Sequence, residues 1–427
     1  MQIQINEKRP NISPQNFTQK QSDIYRDLIK EDWFMTILHG AKRTGKTIFN
    51  NYLFLREIRR VRDIAKAKGI RKPQYILAGY SLGTIQKNVL EELTNMYGME
   101  FKFDKHNRFK LFGVTIVQTG HGDISGLKAI RGMTAYGAYV NEASIAHEAV
   151  YDEIKSRCSG DGARVLSDTN PDNPEHWLLK DYIDNPDKNI RAYHFELDDN
   201  EFLSDRYREN IKSSTPTGMF YDRNIKGLWV SGDGVVYQDF DREKHAITRE
   251  QLKDYQIDEY IIGVDFGYEH HGAIVVVGIT RDGTHILVEE VAEQHREIDW
   301  WEQQQIRLME KYGKRIPQYI EPARPEYVYR FKQNSFHAQN ANKSILTGVE
   351  HVAGLIKQNK LLIVYEDCPR FRQEIYNYVW HKTKDKPIDK FDDVLDALRY
   401  AIYTHDIMSK QNTDVMQDID TLKALGL

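Results

Sequence analysis

"HGAKRTGKTIF", residues 39–49, carries the pattern G-x-x-x-x-G-K-T from Gly40 to Thr47. It follows the apolar stretch "WFMTIL", which reads as a strand. It precedes apolar residues at 48, 52, 55, 58, 61 and 64, a helical period that Gly69 ends. A glycine-rich turn between strand and helix lets backbone N–H groups curl around phosphates at the positive end of the helix. On this reading Gly40, Ala41, Lys42, Arg43, Thr44 and Gly45 form a cradle for ATP. Lys46 reaches the β- and γ-phosphates, and the Thr47 hydroxyl holds Mg2+. The same reading sets the fold of the first half. "QYILAGY", "VTIVQTG", "YGAYV" and "ARVLSDT" are short strands separated by helices, which implies a mostly parallel sheet covered on both faces.

A phosphate loop of this kind needs an acid at the end of another strand. "AYGAYVNEAS", residues 135–144, supplies Glu142, placed to orient an attacking water. The preceding position usually carries an aspartate that holds Mg2+ indirectly; here it is Asn141, which keeps an acceptor oxygen and loses the charge. In "LSDTNPDNPEHW", residues 166–177, Ser167, Thr169 and Asn170 can hydrogen-bond a γ-phosphate or its water. Upstream, "NFTQKQ" offers the amides of Gln19 and Gln21 to an adenine edge, although a helix cap and a turn explain them as well.

The 427 residues exceed one ordinary core and imply two domains: an ATPase domain over 1–232 with a small linker subdomain near its end, a connection over 233–250, and a second domain over 251–427. The connection rests on the Gly-rich, turn-like "VSGDGVVYQDFDREKH". Beyond it, "EYIIGVDFG", "GAIVVVGITRDG" and "HILVEEVA" are three closely spaced strands, with Asp282-Gly283 as a hairpin turn. A helix (298–312), the strand "PQYIEPA", another helix, the strand "LLIVYE" and a helix from about Asp392 to Thr404 follow. That is the order of a ribonuclease H-like domain with a mixed sheet.

Asp265 ends the first of those strands, and Glu321 ends a later one. Asp393 and Asp396 are i and i+3 on the last helix, so they share a face. In a ribonuclease H-like arrangement Asp265, Glu321 and Asp396 converge. Such like charges raise one another's pKa unless hard cations neutralise them. Two Mg2+ or Mn2+ ions roughly 4 Å apart would clamp the attacking and leaving oxygens of a phosphodiester. Asp393 is equally well read as complementing the helix N-terminus. Glu289 and Glu290 read as an exposed edge or an added ligand, and His270 and His271 as loop residues near substrate.

Composition narrows the class. The net charge of -4 gives no global sign of a nucleic-acid partner. Eight Lys/Arg (Arg56, Arg59, Arg60, Arg62, Lys66, Lys68, Arg71, Lys72) form a local stripe that reads as a phosphate-binding face or, more simply, a solvated helix. Cys158 and Cys368 lie far apart and outside metal-ligand spacing, which fits a reducing cytosol. The longest apolar run, residues 273–279, is too short to span a bilayer, and the N-terminus is not a signal peptide. Only the short termini read as disordered.

Taken in order, "FTQKQ", "GAKRTGKT", "IRGMTAYGAYVNEAS", "SDTNPDNPEHW", "NEFLSDRYREN", "RNIKGLWVSGDGVVYQDF", "GVDFGYEH", "IEPARPE" and "DDVLDALRYAI" resemble the large terminase subunits of tailed bacteriophages across nearly the whole chain. The resemblance implies an N-terminal ASCE-type P-loop ATPase that drives double-stranded DNA into a procapsid. It implies a C-terminal metal-dependent endonuclease that cuts the concatemer at start and finish. It carries Lys46 and Thr47 to phosphate and Mg2+, Glu142 to the catalytic glutamate, Thr169 and Asn170 to the coupling element, and Asp265, Glu321 and Asp396 to the nuclease triad. Asp393 falls where relatives often place a His or Asp beside the metals. Arg131 falls where some relatives supply an arginine finger, with Arg43 and Arg157 as rivals. The implied partners are viral DNA, the portal protein, a small terminase subunit and other copies in a ring, a pentamer by family expectation, in the host cytoplasm and without a membrane. Asn141 and Glu321 depart from the family pattern. Two other readings compete: a DNA-repair helicase–nuclease, which lacks room for a second motor domain, and a nucleotide-switched assembly factor, favoured by Asn141.

Overall fold

The computed structural model describes residues 17–185, 189–335, 337–381 and 384–424, so the expectation of disordered termini lies largely outside the described residues. The chain divides into two compact units: one runs to Glu209 and includes Tyr221–Val230, and the other comprises Asn210–Phe220 and the chain from Ser231.

The first unit is built on a seven-stranded sheet: β1 (Met35–Gly40), β2 (Gln74–Gly79), β3 (Arg108–Leu111), β4 (Val114–Gly120), β5 (Gly137–Val140), β6 (Arg164–Thr169) and β7 (Ile190–Phe195). The order is β3-β4-β2-β5-β6-β1-β7, and every pair is parallel except the β3–β4 hairpin. Successive residues of a strand enter opposite cores. Leu38, Leu77, Tyr139 and Leu166 pack on one face with Phe49, Phe54 and Ile58 of the helix Lys46–Ala67. Ile37, Ile76, Ala78, Ala138, Val140 and Val165 pack on the other with Val150 and Ile154. Burial on both faces is why these strands are apolar without alternation. One strand, β6, stands between β1, which delivers the phosphate loop, and β5, which delivers Glu142.

The basic stripe is mostly consumed by structure. Arg60 donates to Glu57 Oε2 (2.6 Å) and to the Gly162 carbonyl (2.6 Å); Arg59 lies over the Phe112 ring, Arg56 over the Tyr25 ring; Arg62 pairs with Asp63 and Lys68 with Asp161. Glu57 is buried in the helix, so Arg60 compensates an internal charge and is not held ready for an external phosphate.

The second unit holds the other sheet: β8 (Ala246–Ile247), β9 (Ile257–Asp265), β10 (Gly272–Thr280), β11 (His285–Glu293), β12 (Gln318–Ile320), β13 (Ala338–Asn340) and β14 (Leu361–Val364), in the order β13-β12-β9-β10-β11-β14-β8. The strands β9, β10 and β11 are antiparallel neighbours and β12 runs parallel to β9, a ribonuclease H-like arrangement. Within the expected connection at 233–250, Val235 bridges Val379, and β8 pairs with β14. The last helix, Asp393–Ala424, is longer than its sequence period suggests and packs across β9 and β10. Gly263 makes that packing possible, since a Cβ there would lie 1.9 Å from the Ala397 carbonyl oxygen. Both cysteines are buried free thiols, and no helix among the described residues is long and apolar enough to cross a membrane.

Gly263→Ala must push the terminal helix off the sheet, and it is expected to cost about 1–3 kcal/mol in thermal or urea unfolding. Gly354→Ala, a helical glycine whose Cβ would meet only the Gln358 amide at 3.9 Å, is the matched control and should be neutral or stabilising. Equal unfolding midpoints for the two variants would overturn the close approach.

Candidate active sites

In the first unit the loop from Gly40 to Thr47 turns through three left-handed residues, Gly40 (φ 132°), Arg43 (φ 63°) and Gly45 (φ 81°). Gly40 is obligatory, because a Cβ would sit 2.0 Å from the Phe195 carbonyl oxygen. Ala41 N donates to that same carbonyl at 2.8 Å, which fixes the loop's start. Lys46 is buried and folded back on its own loop: its Nζ donates to the Gly40 (2.9 Å) and Ala41 carbonyls, Thr44 Oγ1 (3.2 Å) and Asn170 Oδ1 (3.3 Å). Burial pulls the Lys46 pKa down to about 8, and the nearby Asp168 carboxylate partly opposes that. Lys42 and Arg43 are exposed on the outer side of the loop, and Thr47 is half-buried at the helix start.

Gln21 braces this loop from behind. Its amide oxygen accepts from Thr18 N (3.1 Å) in a capping box, and its amide nitrogen donates to the Gly45 carbonyl (3.2 Å). Each end of the amide thus makes one bond at the base of the loop. Gln19 is partnered by Asp23 (3.1 Å) at the surface.

The β5 end is more elaborate than the sequence suggests. Asn141 is fully buried, and Glu142 follows in a left-handed conformation (φ 58°), half-buried. Burial and then the nearby Asp168 raise the Glu142 pKa. Asp168, on β6, accepts from Tyr139 Oη (2.8 Å), Asn141 Nδ2 (2.8 Å) and Glu142 N (3.0 Å). Sequence reading selected its neighbours and passed over Asp168, although strand alternation separates them: Ser167 is buried against Tyr151 Oη (3.0 Å), away from the loop. Thr169 Oγ1 accepts from Ser144 N (2.9 Å). Arg131 is exposed after a short helix, and Arg157 is paired with Glu153 (2.7 Å).

In the second unit Ile320 of β12 lies opposite Val264 of β9, so the next residues, Glu321 and Asp265, stand at adjacent strand ends; Glu321 N donates to the Val264 carbonyl at 2.9 Å. The Gly263–Ala397 approach brings Asp396 to the same place. Burial, followed by the charges of Asp396, Glu321, Asp393 and Asp392, drives the Asp265 pKa well above the carboxylate range. Burial, followed by Asp396 and Asp393, pushes Asp392 up to about 7. The outer acids are each tied to a cation: Glu321 Oε1 to Lys343 Nζ (2.7 Å), Asp393 Oδ2 to Arg370 Nη2 (2.9 Å), Asp396 Oδ2 to Arg399 Nη2 (2.8 Å). Among the described residues no three acidic, His or Cys side chains already stand at ion-holding distances. The donor set is nonetheless all carboxylate oxygen, the chemistry that hard divalent ions take.

Asp393 does not cap its helix. Glu374, fully buried, accepts from Val394 N (2.9 Å) and Leu395 N (3.1 Å) and does so instead. Glu289 is held by Arg307, Lys311 and Tyr312, and Glu290 by the backbone N–H groups of Arg370 and Phe371; neither joins the acid cluster. Asp265, Asp392 and Asp393 open onto a cavity of about 600 Å3 that Tyr268, His270, His271, Arg324 and Tyr327 also line. The i, i+3 spacing of Asp396 and Arg399 was available as a signal for that ion pair; Lys343 and Arg370 had none.

The chain matches two family descriptions: "Terminase large subunit, T4likevirus-type, N-terminal" over residues 71–244 and "Terminase RNaseH-like domain" over residues 262–404. It is similar to the crystal structure of the large terminase from a thermophilic bacteriophage, at 23% identity and a TM-score of 0.75, covering 92% of this chain and 99% of that one. The same phage's large terminase in complex with ADP is 24% identical, with a TM-score of 0.73 and 90% and 98% of the two chains covered. Its complex with ATP-gamma-S is 23% identical, with a TM-score of 0.71 and the same coverage. No curated protein matches the chain. The two matched segments are successive parts of one kind of protein and together take in most of the chain, and on that ground the chain belongs to the large terminase subunits.

Proposed function

We propose that this protein is a packaging motor and nuclease in one chain: ATP hydrolysis in the first unit moves double-stranded DNA into a procapsid, and the second unit cuts it. The observation that supports the reading is that Asp265 and Glu321 end adjacent strands beside the helix carrying Asp396, and that the charges of Glu321 and Asp396 act on Asp265, in a chain that also carries a complete phosphate loop.

In the motor, the loop N–H groups and Lys46 hold the β- and γ-phosphates, and Thr47 is the residue that would hold Mg2+. Lys46 now bonds its own loop and Asn170, so a γ-phosphate arriving at the ammonium competes with Asn170 directly. This is how Thr169 and Asn170 would sense nucleotide. Glu142 orients the attacking water, and Gln19 and Arg131 are the proposed base and neighbouring-subunit contacts. The thermophilic phage's large terminase, bound to ADP and to ATP-gamma-S, supports nucleotide use by this fold. In the nuclease, Asp265, Glu321 and Asp396, with Asp393 beside them, are the residues that would hold two Mg2+ or Mn2+ ions. Such ions would supply charge neutralisation and an activated water at the scissile phosphate. Arg324, His270 and His271 line the same cavity and can meet the DNA backbone. The proposed partners are the portal, a small terminase subunit and further copies of the chain in a ring.

Lys46→Ala is expected to lower DNA-stimulated ATP turnover by about a hundredfold or more while leaving folding intact; retention of turnover would refute the motor. Asp265→Ala is expected to abolish plasmid cleavage in Mn2+ with ATPase unchanged. A wild-type protein that never nicks DNA would remove the nuclease. ATP affinity should weaken above about pH 8: phosphate binding needs the Lys46 ammonium, and free Lys46 loses its proton near that value. The limiting slope is about tenfold per pH unit. Equal dissociation constants at pH 7.5 and 9.5 would show that the buried amine keeps its proton.

A further inference from the structure

Four polar side chains connect the phosphate-loop helix to the strand beside Glu142. Asn51 Nδ2, on that helix, donates to the Asn88 carbonyl at 3.2 Å. Asn88 sits in a π-type turn, Gln86–Leu90, a widened turn that proteins often keep at functional positions. Its Nδ2 donates to Asn141 Oδ1 at 3.0 Å, and Asn141 Nδ2 donates to Asp168 Oδ1 at 2.8 Å. Asn141 therefore commits its oxygen to one neighbour and its nitrogen to the other. An aspartate at 141 has no nitrogen to give. It would set a second carboxylate within hydrogen-bond distance of Asp168, in a site where Asn141 is 0% and Asp168 2% exposed.

Asp168 also fixes what lies next to it. Its Oδ1 accepts from Glu142 N at 3.0 Å, and its Oδ2 from Tyr139 Oη at 2.8 Å. Glu142 is a non-glycine residue at φ 58°, a conformation that persists only where its surroundings hold it. The bond from its own N–H to Asp168 supplies that hold, and the next residue of β6 adds a second stitch, Thr169 Oγ1 to Ser144 N.

We propose that the acid normally found before the catalytic glutamate has been transposed to the adjacent strand: Asp168 is the positioning carboxylate of the ATP site, and Asn141 is an amide because it must donate to it. Asp168 carries the fixed negative charge facing Lys46 and Glu142, and it sets the backbone from which Glu142 projects. The loss of charge at 141 is thus a relocation within one site and leaves the hydrolytic machinery complete. The inference rests on reading Gly40–Thr47 as an ATP-hydrolysing loop.

The test is a charge-relocation cycle in the full-length protein, with DNA-stimulated ATPase (kcat and KM separately), binding of a fluorescent ADP analogue and thermal unfolding for each variant. Asp168→Asn and Asn141→Asp should each lower kcat about a hundredfold and change ADP affinity less than about threefold, because binding belongs to the loop and positioning to Asp168. The double variant Asn141→Asp/Asp168→Asn restores one charge and one amide. It should recover kcat at least about tenfold over either single, an outcome that a merely structural role for Asp168 would not give. If Asp168→Asn does not fold, Asn141→Asp alone decides. Wild-type or higher turnover in Asn141→Asp would overturn the proposal, as would a double variant no better than the worse single. A wild-type protein that binds nucleotide and does not hydrolyse it would instead sink the motor reading, a different and separately visible failure.

Discussion

Carboxylates at the ends of apolar strands repel one another and lose hydration, and the second unit is organised around that conflict. Asp265, Glu321, Asp392, Asp393 and Asp396 all act on one small region. Three of them are restrained by Lys343, Arg370 and Arg399, of which Arg399 is almost fully buried. Burying a guanidinium is unfavourable unless its charge is matched, so Arg399 and Asp396 stabilise each other's placement more than they stabilise the fold. Asp265 feels the charges of the other four on top of its own loss of hydration, which is why its carboxyl is driven so far toward the neutral form. Divalent cations would relieve the same repulsion. The cluster is arranged so that its most stable ionised state is one with added positive charge.

The first unit meets the same problem with different means. Asp168 also ends an apolar strand, but its partners are neutral donors: a phenol, an amide and a backbone N–H. Neutral donors stabilise a carboxylate without cancelling its charge, so its field still reaches Lys46 and Glu142. Cation pairing in one unit and neutral solvation in the other suit the two jobs. On the proposed function, a cluster that takes ions would have to be held apart until they come. A positioning acid has to keep its charge and its geometry through every cycle.

What could be read in the sequence was what the chain encodes locally. The phosphate loop, its flanking strand and helix, the Thr18 cap and the helix at 298–312 are contiguous signals, and each appears where the residues placed it. The placement of Asp265 and Glu321 at strand ends was also legible, because a carboxylate after an apolar strand has few purely structural explanations. The missed features depend on contacts remote in sequence. Glu374 caps a helix that begins 19 residues later in numbering, at Asp393, and Lys343 reaches Glu321 from the far side of β13. The short strands β3, β7, β8 and β13 carry too little periodicity to announce themselves. The residues 233–250 read as a connection because their Gly-rich start is turn-like, and only pairing with β14 and Val379 shows that they belong to the second unit.

The basic stripe shows why charge counting along a helix misleads. Its arginines looked available because sequence alone does not reveal that Glu57 is buried beside them or that Phe112 and Tyr25 lie beneath two of them. A guanidinium lying on a ring or matched to an internal carboxylate has already exchanged its water for protein, and moving it to a phosphate would return that gain. For a chain of net charge -4, attraction to DNA has to come from cations placed where no internal partner claims them first. In the cavity of the second unit Arg324 is itself laid over the Tyr327 ring and bonded to its hydroxyl, beside acids that would repel a phosphate. On the proposed function, DNA would approach that cavity closely only once the acids' charge is neutralised, which would couple ion binding to substrate binding through electrostatics.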